Sequence, residues 1–255
     1  MAITPRDSET FYREVDEELR KERAANWFKR YGLVAIGGVL LLLAVIAGVL
    51  WWQHEKREQA GEHGALFTKA LEEASARQDK QATEKLDTLA KEGGTGYQAA
   101  ALLTKASMAA QAAAPTARPP IPGAAPAPAR ENTAKRNEAV ALFKQVADNA
   151  DFPEPYRNLA LIRQTQLEYD ALQPAQVIQR LQPLAQPGNP WFGSAGEMVA
   201  VAHIKAGRPQ QAAPIFAALA KDENLPQTLR SRAVQMAGAL GVDAVTEPAT
   251  GAAKE

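Results

Sequence analysis

Cysteine is absent from this 255-residue chain. Disulfides, thiolate nucleophiles and cysteine-ligated zinc or iron–sulfur centres are excluded with it. An oxidising and a reducing compartment both stay open. Histidine is scarce: only His54, His63 and His203 carry a side chain suited to proton work near neutrality. Net charge is absent too, with 29 basic against 29 acidic residues, so no overall field steers the chain to nucleic acid. Outside one apolar run, β-branched and aromatic residues are sparse, which argues against sheet. What is abundant is Ala, Leu, Gln, Glu, Lys and Arg, the strong helix formers, so an all-α fold is expected.

Motifs for chemistry are equally thin. His54-Glu55-x-x-Glu58 starts like a helical H-E-x-x-H zinc motif, but Glu58 stands where the second His belongs. A metal needs three or four converging ligands, and His63 with Glu62 is all that lies nearby. The bland reading is a solvated stalk. His203, flanked by Val201 and Ile204, reads as a partly buried packing residue. Gly93-Gly94-Thr95-Gly96 lacks both G-x-G-x-x-G and a following Lys-Ser/Thr, so it is no phosphate cradle. Glycines ending one helix and opening the next explain it. Gly193-Ser194-Ala195-Gly196 misses the G-x-S-x-G spacing of a nucleophile elbow. No catalytic residue, cofactor or metal is expected, and the chain reads as a non-enzyme.

One stretch stands apart. Tyr31 to Gln53, YGLVAIGGVLLLLAVIAGVLWWQ, holds no charge, and Leu33–Leu50 contains six Leu, four Val and two Ile. On the insertion scale those twelve residues favour membrane by roughly 4–7 kcal/mol. Residues 31–52, at ~1.5 Å per residue, reach about 33 Å, enough for a ~30 Å hydrocarbon core. Trp27 and Tyr31 at one end and Trp51 and Trp52 at the other suit the two interfaces. A cleaved signal peptide is the rival reading, but seven acidic residues precede the run and bulky WWQHEKR follows it. Lys and Arg number six in 11–30 (Arg13, Arg20, Lys21, Arg23, Lys29, Arg30) and three in 53–72 (Lys56, Arg57, Lys69). That bias places residues 1–30 in the cytoplasm and the rest outside. Gly37, Ala44 and Gly48 share one helical face where another helix can approach, although Gly is common in membrane helices anyway. Ahead of the run, Thr4-Pro5-Arg6-Asp7 reads as a helix start, and Phe11, Val15 and Leu19 make a thin apolar stripe for a partner or the bilayer surface.

Beyond the span a pattern recurs: a small or branched residue, a large apolar one four later, then Leu/Val-Ala. It appears at Ala82-Leu86, Ala139-Phe143, Val177-Leu181 and Ala212-Phe216, the residues expected to pack the repeats. From 139 to 177 is 38 residues and from 177 to 212 is 35, whereas 82 to 139 is 57. The excess matches AAAPTARPPIPGAAPAPAREN, residues 112–132, with six prolines and almost no large side chain. It is expected to be a flexible loop. An aromatic or large residue then opens a further helix each time: Tyr97, Tyr156, Trp191 and Leu229. Helix pairs of ~34 residues are the signature of tetratricopeptide-like repeats. Hairpins are expected at 65–91, 96–149, 154–186 and 190–221, with a closing helix near 226–240 and a disordered tail at 241–255.

The charged N-terminus ending NWFKRYG, the span closing in WWQ and the segment QATEKLDTLAKEGGTGYQAAALLTKASMAA together resemble the YfgM family, an ancillary subunit of the SecYEG translocon. The 112–132 insert departs from that family's compact hairpin. The resemblance implies an inner-membrane protein with a periplasmic repeat domain at 53–240. Its partners would be the translocon, a membrane-anchored periplasmic chaperone and the lipid bilayer, and its role to assist exported proteins. A repeat scaffold for envelope assembly or cell division is the alternative.

Overall fold

The computed structural model describes residues 5–115 and 131–244, with side chains at 37, 38 and from 40 onward in those ranges. Nine α-helices make up the described residues: α1 Pro5–Ser75, α2 Asp79–Glu92, α3 Thr95–Ala113, α4 Thr133–Asp148, α5 Glu154–Glu168, α6 Pro174–Leu181, α7 Phe192–Lys205, α8 Pro209–Lys221 and α9 Gln227–Ala239. Two compact units divide the chain, Met1–Gly61 and Glu62–Glu255.

In the second unit the packing follows one rule. Each even-numbered helix carries a single buried stripe and fills the space between its two odd-numbered neighbours. Leu86 and Leu89 of α2 meet Ala70 of α1 and Ala101 of α3. Phe143 and Val146 of α4 meet Leu102 of α3 and Ala160 of α5. Val177 and Leu181 of α6 meet Ile162 of α5 and Val199 of α7. Phe216 and Leu219 of α8 meet Phe192 and Ala200 of α7 and Ala233 of α9. The eight repeat-packing positions Ala82, Leu86, Ala139, Phe143, Val177, Leu181, Ala212 and Phe216 are all 2% exposed or less. Tyr97, Tyr156, Trp191 and Leu229 are half-buried beside the same clusters.

Local chemistry sets the helix ends. Pro174 and Pro209 each open a helix at its first position, where the missing N–H costs nothing. Gly207 takes φ +71 in the turn before α8, a conformation open to glycine at no steric cost. Gly93 has no such requirement, since its φ is −67. It is small for another reason: a Cβ there would stand 2.5 Å from the Leu89 carbonyl oxygen.

Several expectations are corrected. Ala112 and Ala113 belong to α3, and Ala113 is buried, because the helix runs on until its last apolar contact is made. The loop proper is shorter, and residues 116–130 lie outside the described residues. Its ends meet: the Asn132 N–H donates to the Ala113 carbonyl at 3.1 Å, and the Asn132 side chain caps α4 by accepting from the Lys135 N–H. The third hairpin stops early as a helix, at Leu181, and turns carry Leu184 and Ala185 into the core. The first four residues of the tail expected from 241 are folded. Gly241 (φ +80) turns the chain, the Val242 N–H donates to the Ala237 carbonyl, and Ala244 is buried against α8 and α9. Residues 245–255 lie outside the described ones.

Among the described residues no helix is long and apolar enough to cross a membrane. The uncharged stretch 31–53 lies within α1. Residues 31–36 and 39 of the expected span lie outside the described side chains, as do Trp27, Tyr31 and the stripe Phe11, Val15, Leu19.

Two outcomes follow. Phe143→Ala should cost about 3–5 kcal/mol, because neither α3 nor α5 can close over the lost ring, and denaturant titration would read it. Replacing residues 116–130 by a short Gly-Ser turn should leave the helical circular dichroism intact and stabilise by about 1 kcal/mol, since the 18-residue excursion 114–131 already returns to its own base.

Candidate functional site

The described apolar band on α1 is the first surface. Leu40, Leu41, Leu42 and Leu43 are consecutive, so they cover every face of the helix, and all are more than half exposed. Trp51 is 70% exposed and Trp52 56%, with the Lys56 ammonium 3.7 Å from the Trp52 ring centroid. A helix apolar all round belongs inside a core or a bilayer. Of the small-residue face, Gly37 and Gly48 have nothing within 4 Å of where a Cβ would stand. Just beyond, His54 lies 3.3 Å from Glu58, an exposed pair four residues apart on the same helix turn. His63 instead packs edge-on against Tyr97, with no part in that pair. Among the described residues no group of three or more His, Asp or Glu stands close enough to hold a metal.

The second surface belongs to the helix stack. Lying between α6 and α8, α7 is sealed on two sides and exposes little beyond Ser194 and Lys205. Gly193 and Gly196 serve that enclosure: a Cβ on Gly193 would meet Leu225 at 2.8 Å, and one on Gly196 would meet Phe192 at 2.9 Å. Between α8 and the segment after α9 lies an open apolar crease of about 590 Å³, lined by Ala213, Pro214, Ala217, Leu240 and Val242 with Lys221 at its rim. Pro214 sits inside α8 and has no N–H to offer the Gln210 carbonyl, so that oxygen stays free to accept from elsewhere.

Polar links between helices hold the stack in register. Lys85 pairs with Glu73 at 2.7 Å, and Lys105 pairs with Asp87. Arg232 donates to both carboxylate oxygens of Glu197, from Nε at 2.6 Å and Nη2 at 2.7 Å. Their separations in the chain, 12 to 35 residues, leave no local signal that sequence reasoning finds.

His203 is more deeply buried than its pattern suggests, at 8% exposure, and its Nδ1 has no hydrogen-bond partner. Burial, and then the Arg208 guanidinium, hold its pKa below the usual 6.5. The neutral imidazole is therefore the folded form. The unfolded chain binds the proton first as pH falls, so stability is full above pH 6.5 and declines from there down through the folded-state value. His203→Leu should flatten the fall in urea midpoint between pH 7 and 5; an unchanged slope would show that other groups cause it.

These helix pairs, sealed in sequence with no strand among the described residues, define a helical-hairpin repeat protein. Residues 25–118, less than half of the chain, match the family model described as a tetratricopeptide repeat-like domain. Domains of that kind mediate contacts between proteins. No curated protein and no solved structure matches the chain.

Proposed function

We propose that the chain is a single-span membrane protein whose repeat array docks partner proteins on the non-cytoplasmic side. The observation that carries the reading is the pairing of a helix stack sealed within itself with a stretch of α1, residues 40–52, that is apolar on every face and exposes its leucines and tryptophans. Large exposed apolar surfaces of this kind mark contact with membrane or protein. Consecutive leucines suit lipid better than a protein groove, which would cover one face only.

The compartment and partners follow from the resemblance to the YfgM family. On that reading the array faces the periplasm, contacts the SecYEG translocon and a membrane-anchored chaperone, and helps exported chains pass on. No step needs a reactive side chain.

Photocrosslinkers at Ala44 and at exposed positions on α5 and α9, in the intact membrane form, would test the partners. Translocon components among the products support them, and their consistent absence refutes them while leaving the anchor standing. For the anchor itself, Leu42→Arg should cost about 3 kcal/mol of insertion free energy and move part of the chain into the alkali-extractable fraction.

A further inference from the structure

Beyond the local capping bonds of α6, three polar links join the chain before Pro174 to the chain after it, and they attach to Glu168, the last residue of α5, and the two residues that follow it. Arg180 of α6 donates to Glu168 at 2.6 Å. The Tyr169 hydroxyl donates to the Met198 carbonyl of α7 at 3.1 Å. Lys205, also of α7, donates to Asp170 at 3.0 Å while its ammonium lies 4.4 Å from the centroid of the Tyr169 ring. Gln164 adds a second donor to Glu168 at 3.1 Å, fixing the carboxylate that Arg180 grips.

They gather beside the shortest helix of the stack. The helix sealing this junction, α6, has 8 residues, against 14, 16 and 13 in α2, α4 and α8. Its contacts to α5 and α7 run through Ile162, Val177, Leu181 and Val199. Apolar burial is non-directional, so several stackings bury similar area. Hydrogen bonds fall off steeply with distance and angle, so they select one of them.

We propose that Glu168, Tyr169 and Asp170 form a clasp that sets how α6 and α7 stack on α5, and so the spacing between the surfaces that the two halves of the array offer a partner. The three links are unequal. Asp170 is 94% exposed, so its ion pair is readily screened. Glu168 and Arg180 are more enclosed, at 24% and 33%. Tyr169 is enclosed enough that burial, and then Asp170, push its pKa up to about 12, so the phenol stays a donor at all working pH. The Tyr169 and Arg180 links therefore carry the selection. The clasp holds whichever partner the array takes.

The chain has no cysteine, so paired spin labels can be placed cleanly. In the full-length protein in detergent, Thr88→Cys with Gln235→Cys measures across the junction, and Thr88→Cys with Gln145→Cys measures on one side of it. Tyr169→Phe combined with Arg180→Met should broaden and shift the first distance distribution and leave the second as it was. If both pairs keep their distances while the melting midpoint falls, these residues only stabilise and the clasp is refuted. Broadening of both pairs equally would also refute it. Should the double variant fail to fold, Tyr169→Phe alone, which keeps the ring, decides by the same two measurements.

Discussion

No helix pair in this protein can bury its own apolar face, and the rest of the structure depends on that constraint. A stripe such as Ala139, Phe143 and Val146 needs apolar surface on both sides, and α4 finds it on α3 and α5 together. Burying one Phe or Leu contributes about 1.5–3 kcal/mol, whereas an exposed ion pair contributes about 0–1. The stack is therefore held by its clusters, each shared between neighbours, and the salt bridges adjust it. Because α3, α5 and α7 each serve two clusters, removing one unit exposes the next.

The same constraint explains where the surface is free. A helix sealed on two sides, such as α7, has only its remaining strip to offer, while α9 has one side covered and shows Gln227, Thr228, Ser231, Arg232 and Gln235 on the other. Polar residues at the end of a repeat array stop further units from adding. Free surface in the second unit therefore lies on the outer faces of the even helices, on the narrower strips of the odd ones and in the crease beside α8. The band on α1 is of another kind: it exposes large side chains in sequence, which no helix-on-helix contact explains.

Legibility differed between the two helix types for a physical reason. Even helices bury one stripe, so their sequences keep the helical period, and Ala82-Leu86, Ala139-Phe143, Val177-Leu181 and Ala212-Phe216 stand out. Between them α3, α5 and α7 bury two faces, so the period is blurred, and only the opening Tyr97, Tyr156 or Trp191 marks them. Proline and glycine located the turns, but the ordered chain ran on where packing outlasted the punctuation, within α3 to Ala113 and after α9 to Ala244. Nothing local distinguishes Tyr169 or Lys205 from other surface residues, since their partners lie 29 and 35 residues away.

By itself the sequence determined the all-helical class, the repeat period with its single long interruption, the uncharged run and the poverty of reactive side chains. These are local or periodic properties, written in composition and spacing. Only the tertiary structure decided which stripe meets which neighbour, that Glu168, Tyr169 and Asp170 meet partners from α6 and α7, and that His203 is buried with no partner for its Nδ1. Those outcomes arise from contacts between residues far apart in the chain, and no window of sequence contains both sides of them.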